Sequence, residues 1–181
     1  LFERYGGKNL TWATSECLLV DGSNVLVTAG GAEALMVALD VRSGETDWKA
    51  EPLRLGPSSD PRHQRVEEPA GQVDNASYAS PILVRFGDRR LVIGCSMRHL
   101  FGVDADRGAL LWTRPLRTQF EVIASTPVLV GDAVFVTAPD SPWVIARTTD
   151  TTLPESFLFV GRVADLGKPG GFRGIEAVRA D

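Results

Sequence analysis

The sequence predicts an all-β protein, a β-propeller of four-stranded antiparallel blades with about three blades present, which makes the propeller incomplete. Two observations predict this fold. Three segments each contain an apolar run, a Gly/Asp turn and a second run rich in β-branched residues, which is typical of a β-hairpin. Two of these segments are followed by a further strand pair that carries Asp, Gly and Trp at the same spacing. Such sheets cannot bury both faces alone, so we expect them to stack.

Composition and charge favour a folded protein and exclude two classes of partner. The 181 residues are 44% hydrophobic and 23% charged, with a formal net charge of -4. Because the basic residues are scattered, we expect neither nucleic acid nor an anionic lipid surface as a partner. No apolar run approaches the roughly 20 residues of a membrane span. The sequence starts at Leu1 without a leader, so we expect a removed signal peptide or an internal piece of a longer chain.

The first complete blade is predicted over residues 15–50, after residues 1–14, which would end a preceding blade with Trp12 in its outer strand. The hairpin is ECLLVDGSNVLVTAG, and the second strand pair is EALMVALD and ETDWK. Asp40 precedes Trp48 by eight residues, with Gly44 midway. An Asp carboxylate accepts backbone N–H groups within such a turn, and Gly takes the positive φ that closes it. We expect the Trp to cover a neighbouring sheet, removing roughly 150–250 Å² from water.

The second blade is predicted over residues 78–114, with strands in SPILVRFGDRRLVIGC, HLFGVD and ALLWT. Asp104, Gly108 and Trp112 repeat the spacing of the first blade. Because this role repeats, Asp40 and Asp104 are predicted to form turns and not a catalytic carboxylate pair. Residues 51–77, rich in proline and polar residues, are predicted to form an extended surface connection in which His63 is solvated.

A third blade is predicted to start at residues 124–140, with the hairpin TPVLVGDAVFVTAP. Residues 141–181 contain two further strand-like runs, WVIAR and SFLFVGRV, but no Asp, Gly and Trp at the repeat spacing. Three interpretations of this tail stay open: a divergent blade, an added element, or sequence unrelated to the repeat.

The repeat resembles a known family. SPILV followed by LFGVDADRGALLW resembles the pyrroloquinoline-quinone (PQQ) repeat, and GGKNLTWATSECLLVDGSNVLVTAGG is similar to PQQ-binding-like β-propeller proteins of bacteria, relatives of the quinoprotein alcohol dehydrogenases. The resemblance covers Gly6 to about Asp140. The WD40 repeat fits less well, because its Gly-His opener and terminal Trp-Asp are missing.

The resemblance also implies a ring larger than this chain. Propellers of this type have seven or eight blades of roughly 40–45 residues each. We therefore expect either a fragment of a larger protein or a ring that is completed by other chains. An isolated copy would expose sheet faces and tend to associate.

A candidate site is predicted at the mouth of the propeller, where the segments leading into the first strands meet the loops between the second and third strands. The candidate binding residues there are Glu16, Ser80, Arg98, His99 and Thr126. Further mouth residues on this register are Ser15, Gly30, Gly31, Tyr78, Met97 and Ser125. We expect a small molecule or a protein to bind at this mouth.

PQQ with Ca²⁺ is the cofactor that the resemblance implies. PQQ needs an aromatic face, Arg or backbone donors for its carboxylates, and oxygen ligands for the calcium ion. The related dehydrogenases use Glu and Asn as calcium ligands, an Asp base and often a Cys-Cys pair; the chain has no Cys-Cys, and none of those acidic residues matches a motif position. Glu16 and Arg98 are possible ligands on chemistry alone. The alternatives are that Glu16 bonds to backbone, that His99 is structural and that Arg98 is solvated.

Cys17 and Cys95 lie far apart, each in an apolar strand-like run. Two free buried thiols are predicted, with a disulfide as the alternative. No Cys/His cluster indicates zinc or covalent haem.

Two functions are compatible with these features. The first is a periplasmic or secreted oxidoreductase similar to PQQ-dependent alcohol or sugar dehydrogenases, or a degenerate relative whose catalysis is unproven. The second is a non-catalytic propeller scaffold for protein interaction, similar to the propeller lipoprotein of outer-membrane protein assembly; the missing cofactor ligands favour it. Fold alone does not decide between them.

Overall fold

The computed structural model describes residues 1–55, 71–86, 88–116, 121–130, 133–136, 142–147 and 157–162. In these ranges the protein is all-β apart from a one-turn helix, α1 (Phe2–Tyr5), and its strands form three four-stranded sheets. Every strand pairing is antiparallel and follows chain order, which is the predicted blade topology. The fold is an incomplete β-propeller.

The strand bounds are as follows. Sheet 1 contains β1 (Leu19–Asp21), β2 (Asn24–Thr28), β3 (Met36–Asp40) and β4 (Thr46–Lys49). Sheet 2 contains β5 (Ile82–Phe86), β6 (Arg89–Cys95), β7 (His99–Asp104) and β8 (Leu110–Pro115). Sheet 3 contains β9 (Val128–Val130), β10 (Ala133–Val136), β11 (Pro142–Arg147) and β12 (Phe157–Arg162).

The turns between the third and fourth strands of sheets 1 and 2 have the same hydrogen bonds. The Asp40 carboxylate accepts the N–H groups of Arg42 and Ser43 at 3.0 and 2.8 Å. In sheet 2 the Asp104 carboxylate accepts the N–H groups of Asp106 and Arg107 at 2.9 and 3.0 Å. Both carboxylates are therefore turn formers, as predicted.

Glycine closes both of these turns. Gly44 and Gly108 have φ of 70° and 73°, a conformation that costs glycine nothing. Their N–H groups donate to the carbonyl oxygens of Asp40 and Asp104 at 2.8 and 2.9 Å. The Asp and Gly of the repeat thus form and close the turn between the third and fourth strands.

Strand register shows how sheet 3 relates to the other two. One row of paired residues runs across each sheet: Leu19, Leu26, Ala38 and Trp48; Ile82, Ile93, Gly102 and Trp112; Val128, Phe135, Ile145 and Phe157. Phe157 therefore holds the register position of the repeat Trp, and Arg147 holds that of the repeat Asp. Strands β11 and β12 correspond to the runs WVIAR and SFLFVGRV, and they pair with each other. This pairing fits the divergent-blade interpretation of the tail.

The core between sheets 1 and 2 is built around Trp48. Its side chain is buried together with Leu26 and Met36 of sheet 1 and Phe101 and Val103 of sheet 2. The indole N–H donates to the carbonyl oxygen of Ala105 at 3.0 Å, within the Asp104 turn. The Trp of one sheet thus contacts the turn of the next.

Trp112 plays the corresponding role between sheets 2 and 3. It is buried in one cluster with Ile93 and Leu100 of sheet 2 and Val134 and Val136 of sheet 3. Within the described residues its indole N–H has no hydrogen-bond partner.

An arginine adds a polar link between sheets 1 and 2. The Arg90 guanidinium forms an ion pair with Asp21, in the first hairpin of sheet 1, and another with Asp106 at 2.6 Å. These carboxylates raise the pKa of Arg90, so it stays charged. The sheets are therefore joined by an apolar core and by a partly buried ionic contact.

Two predictions concern the segments around the sheets. Trp12 lies in a turn, is 68% exposed and pairs with none of the described strands; that residues 1–14 end a preceding blade stays a prediction. Cys95 is buried and free as predicted, but Cys17 is exposed, because it precedes β1 instead of lying in a strand.

The connection between sheets 1 and 2 is described only at its ends. These ends pair with each other through an antiparallel bridge between Arg54 and Val73. His63 and the middle of the predicted surface connection lie outside the described residues, as do the parts of the tail that β11 and β12 do not include. No helix among the described residues is long and apolar enough to span a membrane.

Candidate functional site

The segments leading into the first strands of the three sheets meet at one face of the molecule. Trp12, ahead of sheet 1, packs against Tyr78, ahead of sheet 2, with ring centroids 5.7 Å apart. The Tyr78 N–H donates to the carbonyl oxygen of Ile123, ahead of sheet 3, at 3.0 Å. We call this surface the mouth face. The convergence that defines the candidate site is therefore present, with Tyr78 at its centre.

The turn between β6 and β7 lies on the same face. The Met97 N–H donates to the carbonyl oxygen of Asn75 at 2.9 Å, and Ala76 forms an isolated bridge with Ser96. The Ser77 hydroxyl donates to the carbonyl oxygen of Cys95 at 2.8 Å. These bonds place Arg98 and His99, at the end of the turn, beside the segment that leads into sheet 2.

Glu16 is half-buried and faces its own sheet. Its carboxylate accepts the backbone N–H of Thr28, at the end of β2, at 2.9 Å. Burial raises the pKa of Glu16 above its usual value, and the hydrogen bonds from Thr28 partly oppose this effect. Glu16 is thus bonded to backbone, as the structural alternative for this residue predicted.

Arg98 is buried, with only 8% of its surface exposed. Its guanidinium forms an ion pair with Glu121, which belongs to the segment leading into sheet 3. Its carbonyl oxygen accepts the N–H of Leu116 at 2.7 Å. The expectation of a solvated Arg98 is wrong, because the side chain connects sheet 2 to the segment ahead of sheet 3.

His99 belongs to a buried polar cluster with Asp74 and Ser96. The Nδ1 atom of His99 lies 2.8 Å from the carboxylate of Asp74, and the Ser96 hydroxyl donates to the same carboxylate oxygen. The Ser96 hydroxyl oxygen also accepts the backbone N–H of His99 at 3.1 Å. Asp74 stands between Ser96 and His99, so the imidazole does not activate the hydroxyl, as a nucleophilic triad requires.

Ser80 and Thr126 are placed differently from each other. The Ser80 hydroxyl oxygen accepts the N–H of Cys17 at 2.9 Å, which joins the segments ahead of sheets 1 and 2. Thr126 is exposed, ahead of β9. The five candidates therefore lie on segments of one face, but their described polar contacts are with the protein itself and not with one another.

The described residues do not assemble a site that fits PQQ with Ca²⁺. No group of three or more His, Cys, Asp or Glu side chains within the described ranges could hold a metal ion. Glu16 is engaged by the backbone of Thr28, and Arg98 by Glu121. Neither is free to bind calcium or a quinone carboxylate without losing its present partner. Cofactor binding therefore remains a prediction.

Sequence reasoning missed the partners of two candidate residues. Asp74 and Glu121 lie outside the repeat motif, so no spacing marks them. Asp74 is only 1% exposed, within a connection that was expected to lie at the surface. Nothing in the sequence around a single acidic residue in a polar loop indicates that its side chain is buried.

The mouth face also presents apolar side chains to solvent. Trp12 is 68% exposed, and Leu18, just ahead of β1, is 58% exposed. A cleft of about 440 Å³ lies elsewhere, between α1 and β4. Its lining carries charges of both signs and none of the candidate residues: Arg4, Tyr5, Glu33, Thr46, Asp47, Trp48 and Lys49.

Comparison with known proteins identifies similar chains. The family described as outer membrane protein assembly factor BamB matches residues 7–153. Among curated proteins, no sequence matches the chain significantly. The crystal structure of BamB from Moraxella catarrhalis is similar over 84% of this chain, with 20% sequence identity and a TM-score of 0.51. The chain covers 38% of the length of that structure.

Proposed function

The chain belongs to the outer membrane protein assembly factor BamB family, and from this premise we propose that it acts as a non-catalytic β-propeller that binds protein at its mouth face. The family match over residues 7–153 carries the proposal. It includes the three leading segments and the β6–β7 turn, which together form the mouth face. The proposal agrees with the second of the two functions expected from the sequence.

The chemistry of the mouth face supports binding rather than catalysis. Its acidic and basic side chains are paired with the protein itself: Glu16 with a backbone N–H, Arg98 with Glu121 and His99 with Asp74. A catalytic acid, base or nucleophile needs a geometry that reaches substrate. These pairings instead fix the segments of the mouth face relative to one another.

The exposed apolar side chains indicate the kind of partner. Trp12 and Leu18 offer a large aromatic ring and an aliphatic side chain on segments that Tyr78 and Ser80 hold in place. Aromatic anchors on a fixed surface are typical of protein-binding sites. The name of the family points to partners among outer-membrane proteins, whose strands alternate apolar and polar residues. We therefore propose an extended polypeptide of that pattern as the partner, and the periplasm as the location.

Binding of a model peptide tests the proposal. The probe is a fluorescent peptide of about ten residues with alternating valine and threonine, the length of one outer-membrane strand. We expect saturable binding to the full chain by fluorescence anisotropy. The double variant Trp12→Ser, Leu18→Ser should bind at least about tenfold more weakly, because two anchors leave the interface. Val41→Ser is the matched control, since Val41 is 57% exposed at the opposite end of sheet 1.

Three outcomes would contradict this function. One is the absence of peptide binding, and a second is an equal loss of affinity in the Val41→Ser control. The third is a shift in quinone absorbance on adding PQQ and Ca²⁺, together with dye-linked alcohol oxidation. That result would support the quinoprotein oxidoreductase instead.

A further inference from the structure

Strand β1 leaves one of its edges unpaired. Within the described residues β1 (Leu19–Asp21) is the first strand of sheet 1 and pairs with β2 alone. Asp21 and Asn24 face each other across the two-residue turn that joins the two strands. In such a hairpin the closing pair exchanges backbone hydrogen bonds, and the next residue along the strand points its N–H and C=O groups to the other side. The backbone N–H and C=O groups of Val20 therefore point away from β2, to the free edge.

The free edge of β1 has none of the features that usually protect an edge strand. Proteins block such edges with charged side chains, with proline or with a bulge. Residues 17–20 include no charge and no proline, and β1 pairs with β2 without a register shift. At the opposite edge of sheet 1, β4 carries the exposed charged residues Asp47 and Lys49. One edge of sheet 1 is thus protected, and the other is open to a further strand.

The side chains along β1 alternate between the core and solvent. Leu19 packs against the core between sheets 1 and 2, whereas Leu18 and Val20 are 58% and 63% exposed. This alternation is that of a strand with one buried face. A slip by one residue would expose Leu19 to solvent, so the register of β1 is fixed. The exposed apolar surface of the mouth face, formed by Trp12 and Leu18, therefore continues along β1 to Val20.

We propose that the free edge of β1 binds an extended polypeptide by strand addition, in which the N–H and C=O groups of Val20 form backbone hydrogen bonds with the added strand. The occupant follows from the chemistry of the edge, because unpaired strand N–H and C=O groups find their matching partners in another strand. The alternating pattern of the proposed partner fits the alternation along β1. This inference rests on the proposed function and deepens it, since it adds a backbone contact to the side-chain anchors Trp12 and Leu18.

Strand β9 has a similar edge and provides a comparison. Within the described residues β9 lies at the edge of sheet 3, and its residues Val128 and Leu129 are exposed. Val130 pairs with Ala133, so the same hairpin rule points the N–H of Leu129 to the free edge. The two residues directly ahead of β9 are threonine and proline, which offer no exposed aromatic anchor of the kind that Trp12 provides ahead of β1. We therefore expect the polypeptide to prefer β1.

Amide hydrogen exchange in the isotope-labelled full chain tests the proposal. The probe is the peptide of alternating valine and threonine. Because a new backbone hydrogen bond slows exchange, the Val20 amide should exchange at least about tenfold more slowly when the peptide saturates the chain. The exchange of the Leu129 amide should not change.

A proline variant tests the same backbone contact through affinity. Val20→Pro removes the N–H, and proline is tolerated on an edge strand where that group faces solvent. Fluorescence anisotropy should show at least about tenfold weaker peptide binding, because the hydrogen bond is lost and its acceptor stays unpaired. Val20→Thr keeps the N–H and the branched shape, so its affinity should stay within about twofold of the wild type. Leu129→Pro is the matched control on β9 and should bind the peptide like the wild type.

Three results would overturn this inference and leave the proposed function in place. These are equal affinity of Val20→Pro and the wild type, peptide binding without slower exchange at Val20, or an equal loss of affinity in Leu129→Pro. The absence of any peptide binding would contradict the proposed function and, with it, this inference. Slower exchange at Val20 that depends on protein concentration without peptide would assign the edge to a second copy of this chain, and would overturn the occupant proposed here.

Discussion

At the scale of single residues, three carboxylates accept backbone N–H groups: those of Asp40, Asp104 and Glu16. The Asp40 carboxylate is exposed, and its bonds from Ser43 and Arg42 lower its pKa, because they stabilise the charged form. Glu16 makes a similar bond to Thr28, but burial dominates there and raises its pKa. The same kind of hydrogen bond is thus found at a carboxylate with a lowered pKa and at one with a raised pKa. The degree of burial decides the direction of the shift.

Glu16→Gln is expected to change how stability depends on pH. Because the pKa of Glu16 is raised on folding, the folded state binds a proton more readily than the unfolded state. As the pH rises from the usual pKa of glutamate towards the raised pKa of Glu16, the free energy of unfolding of the wild type should therefore fall relative to that of the variant. The difference should persist at higher pH. Glutamine retains the oxygen that accepts the Thr28 N–H. Urea unfolding between about pH 4 and 7 measures the difference.

The exposed Glu33 supplies the control for this measurement. Glu33→Gln should follow the pH dependence of the wild type. If Glu16→Gln instead lost stability at neutral pH, the charge of Glu16 would be a stabilising group, and burial would not be the dominant influence on its pKa.

At the scale of elements, small residues opposite tryptophan decide how the outer strands pack. Gly102 pairs with Trp112 across β7 and β8, and a Cβ atom built on Gly102 would collide with the indole. In sheet 1 the corresponding residue opposite Trp48 is Ala38, so one methyl group is tolerated there. Both sheets shift register directly after this position, between Ala38 and Leu39 and between Gly102 and Val103.

Gly102→Ala should destabilise the protein by about 1–3 kcal/mol, because an added methyl group overpacks a filled site. The smaller ring in Trp112→Phe should recover part of this loss in the double variant, since the two residues share one contact. Free energies of unfolding from urea titration of the single and double variants measure the coupling. Additive effects would mean that the methyl group meets something other than the indole. Gly71→Ala, with no heavy atom within 4 Å of its Cβ position, is unsuitable as a control, because its φ of 84° adds backbone strain.

The elements that follow the repeat motif were predictable from the sequence, and those that depart from it were less so. The strands of sheets 1 and 2 follow from Asp, Gly and Trp at fixed spacing. In sheet 3, Arg147 and Phe157 replace the Asp and Trp, so the strands were recognisable but their membership of a blade was not. At the mouth face, the convergence of segments was predictable from topology. The contacts of Arg98 with Glu121 and of His99 with Asp74 were not, because these two acidic partners come from irregular segments.

At the scale of the whole molecule, the fold is a stack in which each sheet contacts its neighbours in the sequence. Trp48 and Arg90 join sheets 1 and 2 through an apolar core and an ionic contact. Trp112 is buried between sheets 2 and 3. In such a stack, stability is approximately a sum of sheet and interface contributions. The Arg90–Asp21 contact lies at the surface and is only partly buried, so it should contribute little, since surface ion pairs are worth about 0–1 kcal/mol. The tryptophan interfaces should therefore dominate the cohesion of the stack.

Substitution of Trp48 tests this dominance and the role of its hydrogen bond. Trp48→Phe keeps an aromatic ring but leaves the buried Ala105 carbonyl oxygen without its donor, so we expect a loss of about 1–3 kcal/mol. Trp48→Ala should lose about 3–5 kcal/mol, because the core between the sheets then contains a cavity. Trp12→Phe, at an exposed position, should change stability by less than about 0.5 kcal/mol. Urea unfolding measures all three, and a Trp48→Phe variant as stable as Trp12→Phe would mean that contact between sheets does not depend on this bond.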